Sequence, residues 1–158
     1  MAAQMDYGYG TPKGVAGGKF GLAFDEAVTR KNEEKDGVLK FGMAVMVGTT
    51  PGLTIKVPVS GCTAEQIEGI VLHHANTEQD MKGNVVVHEN ASLSILKKGN
   101  VWGRIASDVT PKYGEKAYVV VTGEDAGCFT NTADSNVDIG ATFGTETDDG
   151  IAVIEINK

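Results

Sequence analysis

The three histidines, His73, His74 and His88, are the side chains of this sequence best suited to catalysis or metal binding. Two of them end the hydrophobic run IVLHH, which has the composition of a buried strand. Neighbouring residues of a strand point to opposite faces, so these two imidazoles are not expected to bind one metal together. A metal site also needs a third and usually a fourth ligand with supporting groups. We therefore expect a strand-end pair with one side exposed, and no metal site.

The segment DSNVDIG has a spacing that could bind calcium. Asp134, Asn136 and Asp138 alternate as the oxygen ligands of calcium loops do. However, Gly140 falls one place later than a helix-loop-helix calcium site requires, and Thr145 occupies the position of the bidentate Glu. These two departures favour a polar turn between strands.

The segment GVAGGKFG contains a Gly-Gly-Lys run, which could indicate a phosphate-binding loop. The position five residues before Gly18 is Lys13 rather than glycine, and Lys19 is followed by Phe20 rather than Ser or Thr. No hydrophobic strand precedes the run, so it is interpreted as part of a glycine-rich arm. No Ser-His-Asp or Cys-His arrangement can be assigned either. The sequence thus offers no catalytic hypothesis, and a small enzyme using His73, His74 or His88 is the least favoured class of function because no partner residues can be assigned.

Composition and charge restrict the possible partners. The chain has 158 residues, enough for one domain with a core, and its 14 basic against 21 acidic residues give a formal net charge of −7. This charge disfavours nucleic-acid binding. There is no bilayer-length apolar run and no secretory signal pattern, so we expect a soluble protein made and kept in a cytoplasm. Cys62 and Cys128 match no zinc pattern and are expected to be reduced and unpaired.

The elements that must position these side chains are mostly short strands. Alternating apolar residues in VLKFGMAVMVG and LTIKVPV, joined by TTPG, predict an antiparallel hairpin. Thr63 is expected to begin a single helical turn. The later runs NVVVH, SLSIL, NVWGRIA, AYVVVT, GCFT, IGATFGT and IAVIEIN follow at about ten residues per strand and turn. We therefore predict an all-β fold, an antiparallel β-sandwich or jelly-roll-like domain over residues 36–158.

Residues 1–35 differ from the rest and are predicted to form an extended, glycine-rich N-terminal arm. DYGYGTPKGVAGGKFG has neither helical nor strand periodicity, and the charged DEAVTRKNEEKDG that follows is expected to be a short helix or a solvated loop. Such an arm buries little surface alone, so it is either mobile or lies on a neighbouring surface.

The stretch GNVWGRIASDVTPKYGEKAYVVV contains the single tryptophan of the chain. Its pattern predicts two strands joined by a Pro-Gly bend, with Val101 and Ile105 on one face and Trp102 and Arg104 on the other. If Trp102 is exposed in the structure it is a contact candidate, and if buried it belongs to the core.

The order of these elements resembles that of the structural cement, or head decoration, proteins of tailed bacteriophages. The resemblance rests on KFG at 40–42, GIV at 69–71 and GEKAY at 114–118, and it covers nearly the whole chain after the arm. Gly103 and Arg104 depart from it, because hydrophobic residues are expected after the tryptophan. The resemblance implies a β-sandwich or jelly-roll module that is not an enzyme and needs no cofactor. It also implies a place on the outside of the expanded capsid in the virion, after synthesis in the host cytoplasm.

The partners implied by this resemblance are the major capsid protein and further copies of the chain, as a homodimer or a homotrimer, with no nucleic acid and no membrane. Tyr7, Tyr9 and Phe20 of the arm, together with Trp102, are the candidate capsid contacts, since buried aromatic anchors give extended arms their affinity. The alternative function is a phage- or cell-associated β-sandwich module that binds a carbohydrate or a protein without catalysis.

Overall fold

The computed structural model describes residues 14–22, 24–74, 79–147 and 149–157. Within these ranges it contains β-strands, one 3-10 turn at Ala64–Gln66 and no α-helix, and no helix there is long and apolar enough to cross a membrane. The strands are β1 (Glu26–Asn32), β2 (Ala44–Val47), β3 (Thr54–Lys56), β4 (Ile67–Val71), β5 (Ser92–Arg104), β6 (Lys116–Val119), β7 (Phe129–Thr130), β8 (Val137–Phe143) and β9 (Ile151–Ile156). The prediction of an all-β fold is confirmed, while a sandwich or jelly roll is not confirmed.

Five strands close into a small barrel. β1 pairs with β3, β3 with β2, β2 with β4, β4 with β5, and β5 returns to β1. The β2–β3 pair is the predicted hairpin. The predicted antiparallel pattern is wrong for one pair, because β1 and β3 run parallel. A closed ring with an odd number of strands cannot alternate direction throughout, so one pair of neighbours must be parallel.

β5 joins the barrel to a second sheet. Its residues 92–98 pair with β1 and β4 in the barrel, and its residues 99–104 pair with β9 in a sheet ordered β5-β9-β8-β6-β7. The runs SLSIL and NVWGRIA were predicted to be two strands with a turn between them at residues 97–99, and that prediction is wrong, because both runs lie in β5. Gly99 adopts φ +125°, which a glycine tolerates without strain, and the strand continues through it into the second sheet.

The buried side chains form two clusters on opposite faces of the barrel strands. The smaller cluster is inside the barrel and contains Leu39, Phe41, Val45, Ile55, Val71, Val87, Leu93 and Ile95. The larger cluster joins the outer face of β2, β4 and β5 to the second sheet, and Leu96 belongs to it. Ile95 packs in the smaller cluster and Leu96 in the larger one, because neighbouring residues of a strand point to opposite sides.

Three local predictions differ from the structure. Residues 26–32 form β1 rather than a helix or a solvated loop, because pairing with β5 overrides a weak local pattern. The segment NVVVH makes a single bridge, from Val85 to Gln79, instead of a strand. β4 ends at Val71, so the histidines that follow are not part of it. β1 lies on the arm side of the proposed boundary at residue 35, and the division into arm and domain stays a prediction.

Candidate interaction surface

Residues 14–20, called the strap below, lie along the side of β5 that faces away from β9. The Gly17 amide donates to the Trp102 carbonyl oxygen at 2.7 Å, and the Trp102 amide donates to the Gly18 carbonyl oxygen at 2.9 Å. Lys19 forms an antiparallel bridge with Val101. The Gly-Gly-Lys run is therefore a turn followed by a single bridge to β5.

Gly17 is the point at which the strap comes closest to the body of the protein. A Cβ atom there would lie 2.6 Å from the His73 backbone nitrogen and 2.8 Å from the Val71 carbonyl oxygen, and its φ is +78°. The His73 amide donates to the Gly17 carbonyl oxygen at 2.8 Å. Only glycine fits this contact without displacing backbone atoms.

Trp102 is half-buried, and the strap covers part of its indole. The Phe20 ring lies edge-on to it, with centroids 5.7 Å apart and planes at 85°. Gly14 also lies against the indole, since a Cβ atom there would come within 2.0 Å of its Nε1 atom. The structure thus brings together two of the predicted contact residues, Phe20 and Trp102, although their contact with a capsid stays a prediction. Tyr7 and Tyr9 lie outside the described residues.

Two exposed apolar residues follow the strap and were missed by the sequence analysis. Leu22 and Phe24 have relative exposures of 105% and 86%. They were passed over because the run KFGLAF was treated as part of a featureless arm. The available signal was a pair of large apolar side chains between a glycine and the acidic residues Asp25 and Glu26.

The histidines lie in two places. His73 and His74 are both exposed, and both rings contact Phe41, with centroids at 5.1 and 4.9 Å. The expectation that they face opposite sides is wrong, because strand alternation stops where β4 ends. His88 Nδ1 lies 3.0 Å from an Asp36 carboxylate oxygen. A backbone hydrogen bond from Glu89, followed by the contact with His88, lowers the pKa of Asp36.

The remaining candidates for metal binding or catalysis are Asp138 and the two cysteines. Asp138 accepts a hydrogen bond from the Gly140 amide at 2.8 Å and pairs with Lys116 at 3.1 Å; these contacts, in that order, lower its pKa. Residues 134–136 form the predicted polar turn, whereas Asp138 and Gly140, which were expected to belong to it, lie in β8. Both cysteines are free, as expected, and burial raises the pKa of each thiol. No group of three or more potential metal ligands occurs in the part of the chain that the structure describes.

Comparisons with known proteins point to one family. A family model described as structural cement protein (E217 gp24/Pam3 gp6) matches residues 3–157. A solved structure titled "The capsid of Myoviridae Phage XM1" contains a chain with a TM-score of 0.74 and 13% identity. The alignment covers 100% of the present chain and 99% of that one, and at this identity it shows a shared fold. Curated protein sequences yield no significant match.

Proposed function

The chain belongs to the structural cement protein family of bacteriophages, and we propose that it binds the outer surface of the expanded capsid and cements neighbouring capsid subunits. Membership of this family gives the chain a structural role in the capsid, in association with capsid proteins in the virion. The observation that carries the proposal is the family match, which extends from residue 3 to residue 157. Attachment to the exterior and preference for the expanded state are the parts that we add.

A body whose two sheets share one strand suits this task. The barrel and the second sheet share β5, so a load applied to one is transmitted to the other through a continuous strand. A protein that bridges capsid subunits adds contact area at each junction. Many copies then give a large total stabilisation from modest individual affinities, because linked sites act multivalently.

The arm is proposed to make part of this contact. Phe20 and Trp102 fix the strap against β5, so the segment that precedes it begins from a defined position. Tyr7 and Tyr9 are proposed as aromatic anchors on the major capsid protein, with Phe20 and Trp102 at the edge of the same contact. Self-association as a homodimer or a homotrimer is part of the proposal.

We propose no catalytic role, no cofactor and no nucleic-acid or membrane partner. The family is described as structural cement, and His73 and His74 pack against Phe41. The formal net charge of −7 opposes binding to packaged DNA.

Co-sedimentation with purified shells tests the proposal. The protein is mixed with expanded and with unexpanded shells, pelleted, and quantified in the pellet. Binding to expanded shells alone is expected. Equal binding to both forms would remove the preference for expansion, and binding to neither would overturn the proposal in favour of a carbohydrate- or protein-binding module.

A further inference from the structure

One side of β1 is an open sheet edge along most of its length. On that side, β3 pairs with β1 only at Lys31 and Asn32. Residues 26–30 pair with β5 on their other side, and no further strand of the described chain pairs with them. Closure of the barrel thus depends on the last two residues of β1, and residues 26–30 are called the open edge below.

The hydrogen bonds at the end of β1 show which main-chain groups the open edge presents. The Lys31 amide donates to the Leu53 carbonyl oxygen at 2.9 Å, on the side of β3. The Asn32 amide donates to the Ala91 carbonyl oxygen at 2.9 Å, next to the start of β5. Main-chain groups of successive residues in a strand point alternately to its two sides, so the odd-numbered residues of β1 direct theirs away from β5.

Ala27 and Thr29 are therefore the residues whose N–H and C=O groups face outwards on the open edge. Both residues are exposed. The Thr29 carbonyl accepts a hydrogen bond from Arg30 Nη1 at 3.0 Å, and a carbonyl oxygen has a second lone pair for another donor. An exposed edge of this kind is a template for a strand from another chain.

The open edge is acidic at one end and basic at the other. Glu26 begins β1, whereas Arg30 and the exposed Lys31 are near its C-terminal end. Glu68 is shared between Arg30, at 2.6 Å, and Lys97, at 3.7 Å, so this end keeps a positive charge. An antiparallel strand of the same sequence brings opposite charges together at both ends, which stabilises the pair, whereas a parallel one places like charges together.

The net charge of the chain belongs to the second sheet and its loops. Residues 1–104 contain 11 acidic and 11 basic residues, so the net charge of −7 comes from residues 105–158, which follow β5. β1 is therefore in a part of the chain with no net charge, where two copies can meet with little repulsion between like charges.

We propose that the open edges of two copies pair as antiparallel strands about a two-fold axis. Ala27 of each copy exchanges main-chain hydrogen bonds with Thr29 of the other, and Val28 of the two copies meets at the axis. Glu26 then lies opposite Arg30 of the second copy. The same patch is used on both sides, so the contact closes as a dimer. The inference rests on the self-association in the proposed function; it names the contact and selects a homodimer over a homotrimer.

Light-scattering mass over a range of concentrations tests the contact on the full chain. Thr29→Pro removes an outward amide of the open edge, a position at which a strand tolerates proline. Lys31→Glu weakens the basic end and places a carboxylate near Glu26 of the second copy. Lys82→Glu is the matched control, because it makes the same change of charge on an exposed residue of a turn outside the strands.

The wild type and Lys82→Glu are expected to form dimers with the same dissociation constant. Thr29→Pro should raise that constant at least about tenfold, and Lys31→Glu at least about threefold. Each variant should keep the wild-type tryptophan emission, which reports that the strap and β5 are intact. If Thr29→Pro does not fold, Lys31→Glu decides the question.

Co-sedimentation with expanded shells separates failure of this contact from failure of the proposed function. If the wild type binds shells but is monomeric or trimeric in solution, or if Thr29→Pro and Lys31→Glu dimerise as the wild type does, the contact is wrong and the function stands. If those two variants stay dimeric but lose shell binding, the open edge binds a capsid protein, and the second copy is overturned as its occupant. A wild type that dimerises through the open edge but binds no shells supports the contact and overturns the function.

Discussion

The ring of Phe20 meets the indole of Trp102 edge to face, with centroids 5.7 Å apart and planes at 85°. The two residues come from different elements, the strap and β5, and their contact attaches one to the other. The Phe20 amide also donates to the Asn100 carbonyl oxygen at 2.9 Å, so main chain and side chain act together. Trp102 is the single tryptophan of the chain, which makes its fluorescence a specific reporter of strap docking.

Phe20→Ala is expected to loosen the strap. Loss of the ring contact should lower the free energy of unfolding by about 1–2 kcal/mol, the value of an aromatic pair with its burial. It should also shift the tryptophan emission to longer wavelength, because water reaches the indole. Phe24→Ala is the matched control, since that ring is exposed and its loss should change neither signal. Identical emission spectra for Phe20→Ala and the wild type would contradict a docked strap.

Gly17→Ala should be much more harmful than Gly21→Ala. Both glycines have positive φ, +78° and +74°, so alanine pays a similar conformational cost of about 1–2 kcal/mol at each. An added Cβ atom at Gly17 meets backbone atoms of His73 and Val71, whereas one at Gly21 has nothing within 4 Å. We expect urea unfolding to show an additional loss of about 1–3 kcal/mol for Gly17→Ala. Equal losses would mean that the strap moves away from β4 at no cost.

Strands with alternating apolar residues could be predicted from the sequence. Strands without that pattern, which depend on pairing with a neighbouring strand, could not. β9 lies within the predicted run IAVIEIN, β8 overlaps the run IGATFGT but begins two residues before it, and the helical turn at Thr63 is confirmed. β1 was missed because its residues are largely polar and exposed, so its strand structure depends on β5. β5 was divided because Lys-Lys-Gly usually forms a turn, whereas Gly99 here carries the strand between two sheets.

The contact between Phe20 and Trp102 could not be predicted from the sequence. Phe20 and Trp102 were both candidates, yet their mutual contact is a tertiary relationship that no local pattern contains. Leu22 and Phe24 were missed because their exposure depends on tertiary pairing. They lie between Lys19, which bridges to Val101 of β5, and β1, which pairs with an earlier part of β5. The sequence did not predict that the strap and β1 both lie against β5, so the projection of the residues between them could not be foreseen.

Glu68→Gln should destabilise the barrel measurably. Glu68 Oε1 accepts hydrogen bonds from Arg30 Nε at 3.0 Å and Nη2 at 2.6 Å, and the two side chains are only 9% and 16% exposed. Removing the charge leaves a largely buried guanidinium without its carboxylate, which should lower the free energy of unfolding by about 1–3 kcal/mol. Asp138→Asn is the control, because its pair with Lys116 is largely exposed and should contribute less than about 1 kcal/mol. Similar losses for the two variants would show that burial of the Arg30 pair adds nothing.

Stability is expected to fall in acid, and Glu33 should account for part of the loss. Hydrogen bonding from the Thr54 side chain, followed by the Thr49 backbone amide, lowers the pKa of Glu33 below its ordinary value of 4.5. The same direction applies to Asp36, Asp80, Glu115 and Asp138. A carboxyl group with a lowered pKa in the folded state binds fewer protons there than in the unfolded state. Its contribution is therefore complete above the unfolded pKa and disappears as the pH falls through the folded value.

Glu33→Gln removes one of these titrations and leaves the others in place. Between about pH 7 and pH 3, its melting temperature should fall by less than that of the wild type. Thr49→Val removes the Thr49 hydroxyl, which donates to Glu33 Oε2 at 3.1 Å, while keeping the carboxyl group, so it should give an intermediate acid dependence. Both differences should disappear in comparisons confined to pH values above about 6, where the carboxyl is ionised in folded and unfolded chains alike. If all three proteins lose the same stability on acidification, the hydrogen bonds to Glu33 do not persist in solution.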